Sequence, residues 1–560
     1  MKVKEKKAIY RKSIAYILVV VCLVFGLSAA KSVADNDRYF QIVKNLDIFA
    51  TLFKEVNAYY VDEINPNELI KVGIDAMLNS LDPYTDYIPE DDIEAYMTMT
   101  TGEYGGIGAF VDRKEGINTV TMPQKGSPAE KAGLKIGDQI LKINGVDLTG
   151  KSSADISKLL KGAASSQIEL LIKRPFQDEP FEVSLKREKI TIDNVPYFGM
   201  VNEQIGYIKL SDFTTKAGKE VASAVKKLKS EGATRMILDL RGNPGGLLDE
   251  AINVSNVFIK KGMEIVSTKG KLENWTKSYD SPSDAVDVDI PLVVLIDNGS
   301  ASASEIVAGV MQDYDRGVLI GRQTFGKGLV QQSRPLAYNS QLKVTTAKYY
   351  TPSGRCIQAI DYSHRNPDGS VGKIPDSLKT EFKTMGGRAV FDGGGLTPDF
   401  AIASSSFAPV TYSLLSGDHI FDYGTTFAHK NEQIGDPREF SLSDAQYEDF
   451  LAWLADKSLD YTTEVERSVE SLIASAKKEQ YYPDIEQQIL ALKQATLHNK
   501  ESDLITYKAQ VKAVLEQDIA SRYTLQVGAI ESTFNKDRDI LRAIEVLTDL
   551  SEYQSYLKSE

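Results

Sequence analysis

Residues 297–331 read DNGSASASEIVAGVMQDYDRGVLIGRQTFGKGLVQ. A turn of small residues, Gly299 to Ser304, leads into an apolar helical face that begins Glu305-Ile306-Val307-Ala308. A strand, RGVLIGR at 316–322, follows, and then a lysine between two glycines. Outward from this segment, IGYIKLS at 205–211, RMILDLRG at 235–242 and DIPLVVLID at 289–297 are apolar runs too continuous for a sheet with one wet face. The segments between them can form helices. A buried, largely parallel sheet covered by helices is the expected fold of a core spanning 188–408, an α/β domain. KVTTAKYYTPSGRCI at 343–357 adds strands and a turn, and AVFDGGGLTPDF at 389–400 closes the domain.

On the amino-terminal side, LDIFATLFKEVNAYYV at 46–61 and ELIKVGIDAMLNSL at 68–81 carry apolar residues at three- and four-residue spacing, so 35–100 reads as a helical region. Its polar end, Pro89 to Glu103, reads as a wrap or link. From 101 to 187 the pattern becomes short strands between Gly and Asn turns (GIGAFV, GINTVTM, DQILKING, IELLIKR), with helices expected near Ser127–Leu134 and over Ser153–Leu160. That makes one small mixed-β module. Beyond 408, residues 409–560 read as a helical C-terminal extension: Leu442–Lys457, Glu464–Lys478, Pro483–His498 and 504 onward look helical. Ser443 to Gln446 has capping-box spacing. Such an extension can self-associate into a homo-oligomer, cage a site or dock a partner.

The first thirty residues place the rest. Lys2, Lys4, Lys6, Lys7, Arg11 and Lys12 precede an uncharged run over 13–30 that ends in small residues, the pattern of a signal peptide or a short membrane anchor. Either sends the remaining chain across the membrane, so a periplasmic location is expected, free after cleavage or anchored by 13–30. Of two cysteines, Cys22 lies in that run; Cys356 then has no intrachain partner. A formal net charge of -13 gives no support to nucleic-acid binding.

Within the core, the serine-rich turn and the glycine-flanked lysine suggest hydrolysis by a serine activated by a lysine. The chain's four histidines, His364, His419, His429 and His498, lie outside the glycine-rich segments. A lysine serves as a base when desolvation or electropositive neighbours keep its amine neutral, and Lys327, in Thr324-Phe325-Gly326-Lys327-Gly328-Leu329-Val330, has glycines and apolar residues around it. Gln331 can hold the amine without adding a carboxylate. Ser300, Ser302 and Ser304 are all candidate nucleophiles, and spacing does not choose among them. Leu240 to Gly246, LRGNPGG, follows another strand of the same sheet and can supply oxyanion donors. No GxxxxGK[ST] loop is present, which argues against nucleotide hydrolysis.

These motifs resemble the carboxy-terminal processing peptidases, tail-specific serine proteases with a Ser/Lys dyad and a PDZ domain. The likeness rests on YGGIGA (104–109), GSPAEKAGLKIGDQILKING (126–145), GYIKLSDF (206–213), LDLRGNPGG (238–246), GSASASEI (299–306), GRQTFGKGLVQ (321–331), YYTPSGRCIQ (349–358) and GGGLTPD (393–399). It implies Ser302 as nucleophile, Lys327 as general base, Gln331 as the residue orienting the lysine, and the N–H groups of Ala303 and of Gly245 or Gly246 as oxyanion donors. It also implies a PDZ domain at 101–187. There Tyr104, Gly105, Gly106, Ile107 and Gly108 offer N–H groups to a peptide carboxylate, while the next strand pairs with the incoming tail. The expected partners are unfolded or flexible protein C-termini, and no metal or cofactor is expected. The rivals are a silent adaptor of the same fold and an amide hydrolase of cell-wall peptides.

Overall fold

The computed structural model describes residues 37–114, 116–403, 406–459, 461–496 and 500–558. The expected leader over 1–30 and His498 lie outside them. Among the described residues no helix is long and apolar enough to cross a membrane. The chain divides into two units, 1–87 and 88–560. The first contains helices over 37–59 and Pro66–Asn79. In the second helix Asn65 caps the N-terminus through its side chain, with Pro66 at the first turn, a position where no N–H is missed.

The second unit is built on a six-stranded sheet. Its strands are β1 (Tyr197–Met200), β2 (Ile205–Lys209), β3 (Arg235–Asp239), β4 (Leu292–Ile296), β5 (Val318–Gly321) and β6 (Phe400–Ala401), adjacent in that order. All neighbours from β2 to β6 are parallel; only β1 runs antiparallel, at the edge. One face buries Ile208, Met236, Leu238, Leu292, Val294, Ile296 and Leu319 under helices α1 (Ala217–Ser230), α2 (Leu248–Asn256) and α3 (Ala303–Asp313). In α1 the buried Val221, Ala224, Val225 and Leu228 fall at helical spacing.

The opposite face buries Ile205, Tyr207, Ile237, Val293, Leu295, Val318 and Ile320, as the unbroken apolar runs require. Its cover comes from the far end of the chain: Phe534, then Ile540, Ala543, Val546 and Leu547 of helix α4 (Arg538–Thr548), then Tyr553. The end of the helical extension thus forms a structural layer of the core. Phe534 is 1% exposed, edge-on to Tyr207 at 5.1 Å and to Tyr197 at 5.8 Å. Phe534→Ala is expected to cost about 3–5 kcal/mol of stability, read as a fall in thermal midpoint.

A second, antiparallel sheet includes Glu264–Gly270, Lys277–Asp280, Leu329–Pro335 and Gln341–Tyr350. The first two of these strands lie where the sequence suggests helix. They mix buried Ile265, Val266 and Thr268 with exposed Lys269, Lys277 and Ser278 and lack a continuous apolar run. The stretch from Pro89 to Glu103 also differs from the expected link: a 3-10 turn at Glu90–Asp92 passes into a helix at Ile93–Thr101, stopped by left-handed Gly102.

The small β module has six strands in one antiparallel sheet (Ala109–Lys114, Ile117–Pro123, Gln139–Ile143, Val146–Asp147, Gln167–Lys173, Phe181–Lys186) and helices at Pro128–Lys131 and Ser153–Leu160. Val120, Ile140, Ile143, Ile156 and Ile168 form its core. The C-terminal helices pack around Tyr423, Phe427, Phe450, Leu515 and Ile519. The capping box at Ser443 forms, with the Ser443 N–H donating to Gln446 Oε1 (2.8 Å) and the Gln446 N–H to Ser443 Oγ (3.2 Å).

Candidate active site

Strand β4 ends at Ile296 and α3 starts at Ala303, so residues 297–302 form the turn at the carboxyl edge of the parallel sheet. From Ser300 to Asp313 every residue is buried except Ser302. The three candidate serines separate on this ground. Ser300 Oγ donates to the Leu240 carbonyl (2.8 Å) and Ser304 Oγ to the Asn243 carbonyl (2.9 Å), both at 0% exposure, so those hydroxyls are spent on holding loops together. Ser302 reaches solvent and adopts φ 55°, ψ -112°, a conformation that non-glycine residues avoid. Strain of this kind persists only where the surroundings impose it.

The surroundings here centre on Glu305. Its carboxylate is fully buried and accepts four bonds. Oε2 takes the N–H of Ser302 (2.9 Å) and of Lys327 (2.8 Å); Oε1 takes the N–H of Gly326 (2.8 Å) and the hydroxyl of Thr324 (2.5 Å). One oxygen therefore receives the backbone donors of both the serine and the lysine, whose nitrogens lie no further apart than two hydrogen-bond lengths. Burial pushes the Glu305 pKa up, and the four donors oppose that rise. Three unambiguous N–H donors suit a carboxylate rather than an acid. The sequence offers the amine a partner without charge at Gln331; Glu305 is a nearby acid that sequence reasoning passes over, and its oxygens are committed to the backbone of the two loops and the Thr324 hydroxyl. The signal is present in the sequence: Ser302-x-x-Glu305 has the spacing in which a helix's third residue reaches back to the capping N–H.

The lysine loop is fixed on further sides. The Phe325 N–H donates to the Ser300 carbonyl (3.1 Å), the Gly328 N–H to Gln358 Oε1 (2.8 Å), and the Tyr349 hydroxyl to the Lys327 carbonyl. Gly326 has φ 86°, and a Cβ there would lie 2.4 Å from that of Ala359, so no other residue fits. Lys327 is half-buried between buried Gly326 and Gly328. Gln331 lies on Leu329–Pro335, at a register shift in the pairing with Gln341–Tyr350, and its Nε2 donates to Thr345 Oγ1 (3.2 Å).

On the other side of the serine stands the loop after β3. Gly245, φ 94°, is pressed against the turn that carries the candidate nucleophile: a Cβ on it would meet the Ala301 carbonyl oxygen at 2.6 Å and both Ala303 N and Ser302 Cβ at 2.8 Å. The Gly245 N–H donates to Asn243 Oδ1 (2.9 Å). Ala303, first residue of α3, has an N–H outside the helical ladder. Asp297 ties the two turns together by accepting from the N–H groups of Gly242 and Gly299, each at 2.9 Å.

In the small β module, Glu103–Gly106 pairs antiparallel with Glu188–Thr191. Strand Ala109–Lys114 is bonded to Ile117–Pro123 on one side and is an edge of its sheet. Between this edge and helix Ser153–Leu160 lies a cavity of about 290 Å³, lined by Tyr104, Gly106, Ile107, Gly108, Phe110, Ile156 and Leu160 among others. The residues singled out from sequence, Gly105 apart, are brought to one groove. Among the described residues no cluster suited to a metal ion occurs.

Three family models match the chain: peptidase family S41 over 204–368, a PDZ domain over 119–174, and a probable PDZ-protease C-terminal helical domain over 410–547. A carboxy-terminal-processing protease of Bartonella bacilliformis is 38% identical over 381 residues, covering 67% of this chain and 86% of its own. A probable CtpA-like serine protease of Staphylococcus aureus is 35% identical over 347 residues, 61% of this chain and 68% of its own. Among solved structures, a photosystem II D1 C-terminal processing protease aligns at 27% identity and a TM-score of 0.34, covering 63% of this chain and 92% of its own.

Proposed function

The chain belongs to the carboxy-terminal-processing serine proteases, and from that premise we propose that it is an extracytoplasmic endopeptidase that captures unstructured protein C-termini in its PDZ groove and cleaves them through a Ser302–Lys327 dyad. The observation that carries the reading is the shared bond: a single oxygen of Glu305 accepts from Ser302 and Lys327. The exposure of Ser302 beside two fully committed serines supports it as the nucleophile.

In this mechanism the tail adds a strand to the Ala109–Lys114 edge and its carboxylate meets the N–H groups around Tyr104 to Gly108. An upstream peptide bond reaches Ser302. The Lys327 amine takes the hydroxyl proton as Oγ attacks the carbonyl carbon, and Gln331 keeps the amine oriented. Negative charge on the carbonyl oxygen is held by the Ala303 N–H and by Gly246, or by Gly245 once it gives up its bond to Asn243. Lysine then protonates the leaving amine, and water, activated the same way, hydrolyses the acyl-enzyme. Each of these steps is carried by side chains and backbone groups of the chain itself. The basic-then-apolar leader supports action outside the cytoplasm. Exposed Val465, Leu472, Leu490 and Leu492 on the C-terminal helices fit self-association.

The test is cleavage of an unfolded substrate with a free C-terminus beside the same chain ending in a carboxamide. A charge-assisted hydrogen bond contributes about 1.5–3 kcal/mol, so the amide is expected to raise KM about 10- to 100-fold with kcat nearly unchanged. Equal KM for the two substrates would remove the PDZ capture step.

A further inference from the structure

Arg241 begins the loop that presses Gly245 onto the nucleophile. Its guanidinium is bracketed between two elements nearly 300 residues apart in sequence. On one side Nε and Nη2 donate to Asp239 (3.1 and 2.7 Å). On the other, Nη1 donates to both oxygens of Asp537 (3.0 and 2.8 Å) and to Asp539 Oδ2 (3.0 Å), at the entrance of α4. The same Asp539 oxygen accepts from Arg322 Nη2 (3.3 Å). Arg322 directly follows β5, at the root of the loop that carries Lys327. The two arginines thus flank strand β4, whose end bears Ser302, and Asp539 touches both.

Asp537 is positioned by its second duty, capping α4 through the N–H groups of Asp539 (2.9 Å) and Ile540 (3.2 Å). Lys209 completes the cluster: its Nζ donates to the Arg241 carbonyl (2.6 Å) and pairs with Asp239 at 3.3 Å. Three cations therefore face three carboxylates, with Asp239 and Asp539 almost wholly buried. A cluster of this kind is a poor source of stability compared with apolar packing, because desolvating the charges costs as much as their attraction returns. What it does supply is a fixed direction for each guanidinium.

We propose that Asp537 and Asp539 are positioning residues for the hydrolytic step: through Arg241 and Arg322 the entrance of α4 holds the oxyanion loop and the lysine loop in register with Ser302. The C-terminal helical layer is in this way part of the catalytic apparatus, although none of its residues touches the substrate. The proposal rests on the Ser302 assignment and the oxyanion role of 245–246.

The experiment compares full-length wild type with Asp539→Asn, Asp537→Asn, Asp539→Glu and Ser302→Ala. It measures kcat and KM on a free-tailed substrate, thermal midpoint, and affinity for a tail-derived peptide boronate, whose tetrahedral adduct reads the oxyanion loop. Asn keeps the shape and removes the charge. The expected result is a 10- to 100-fold fall in kcat and a parallel loss of boronate affinity in the Asn variants, with KM within about twofold and partial recovery in Asp539→Glu. Wild-type kcat and boronate affinity in both Asn variants would overturn the clasp and leave the site assignment standing. A kcat loss matching the loss of folded protein, with boronate affinity per folded molecule unchanged, would also overturn it. Full turnover by Ser302→Ala would overturn the assignment and the clasp together.

Discussion

Ser302→Ala is expected to lower kcat by about 10⁴-fold or more, and Lys327→Ala by a comparable factor. The two losses do not multiply. A hydroxyl without a base and a base without a hydroxyl leave the same residue of catalysis, that of the oxyanion donors and binding alone, so the double variant matches either single one. Lys327→Arg restores nothing, because a guanidinium stays protonated throughout the working pH range. With the tail captured in the PDZ groove, as proposed, KM for a free-tailed substrate is expected to stay near wild type in all three. Ser300→Ala and Ser304→Ala behave differently: each removes a buried bond to a carbonyl of the 240–246 loop, so both are expected to lower stability and to reduce kcat by far less than the dyad variants. Steady-state kinetics beside thermal denaturation separates the two patterns.

Glu305→Gln is expected to be nearly as damaging, although the substituted side chain touches no substrate. Each carboxylate oxygen accepts two donors, so whichever position receives the amide nitrogen sets a donor against two donors. An unsatisfied buried donor costs about 1–3 kcal/mol, a large part of the roughly 5–15 kcal/mol by which a typical domain is stable. The variant is expected to lose thermal stability and at least about 10²-fold in kcat, the latter because displacements of the order of 1 Å carry that penalty at a reacting centre. If Oε1 is the position replaced, Ser302 and Lys327 keep their acceptor while Thr324 and Gly326 lose theirs; the fall in kcat then tracks slack in the lysine loop. A Glu305→Gln enzyme with wild-type kcat would show that the shared acceptor does not set the dyad.

Much of the core is legible in the sequence because its signals are local. The apolar runs at 205–211, 235–242, 289–297 and 316–322 each contain one strand of the parallel sheet, and a strand buried on both faces has no other sequence form. The turn from Gly299 to Ser304 and the glycines around Lys327 are equally plain. What covers the second face of the sheet is not, since an amphipathic helix at 538–548 states only that it has an apolar side and not which surface that side meets. The strands Glu264–Gly270 and Lys277–Asp280 mix buried apolar residues with exposed polar ones and have no clear period. Spacing leaves three serines equivalent; burial separates them, and burial is a property of the folded loops. Glu305 reads as an ordinary helix-entry acid because the four donors it gathers come from two segments about twenty residues apart. The pairing of Arg241 with Asp537 and Asp539 joins residues nearly 300 positions apart, and no local pattern encodes it.

If the folded loops put one serine and one lysine to work on the same proton, the reactivity of that serine must depend on that lysine. The rate at which a fluorophosphonate modifies the protein in the presence of a bound tail peptide, with the adduct located by peptide mass mapping, reads this dependence. The expected result is a single adduct on Ser302, formed at least about 100-fold more slowly in Lys327→Ala and absent in Ser302→Ala. An adduct on Ser302 forming at the wild-type rate in Lys327→Ala, or a first adduct on any other serine, would contradict it.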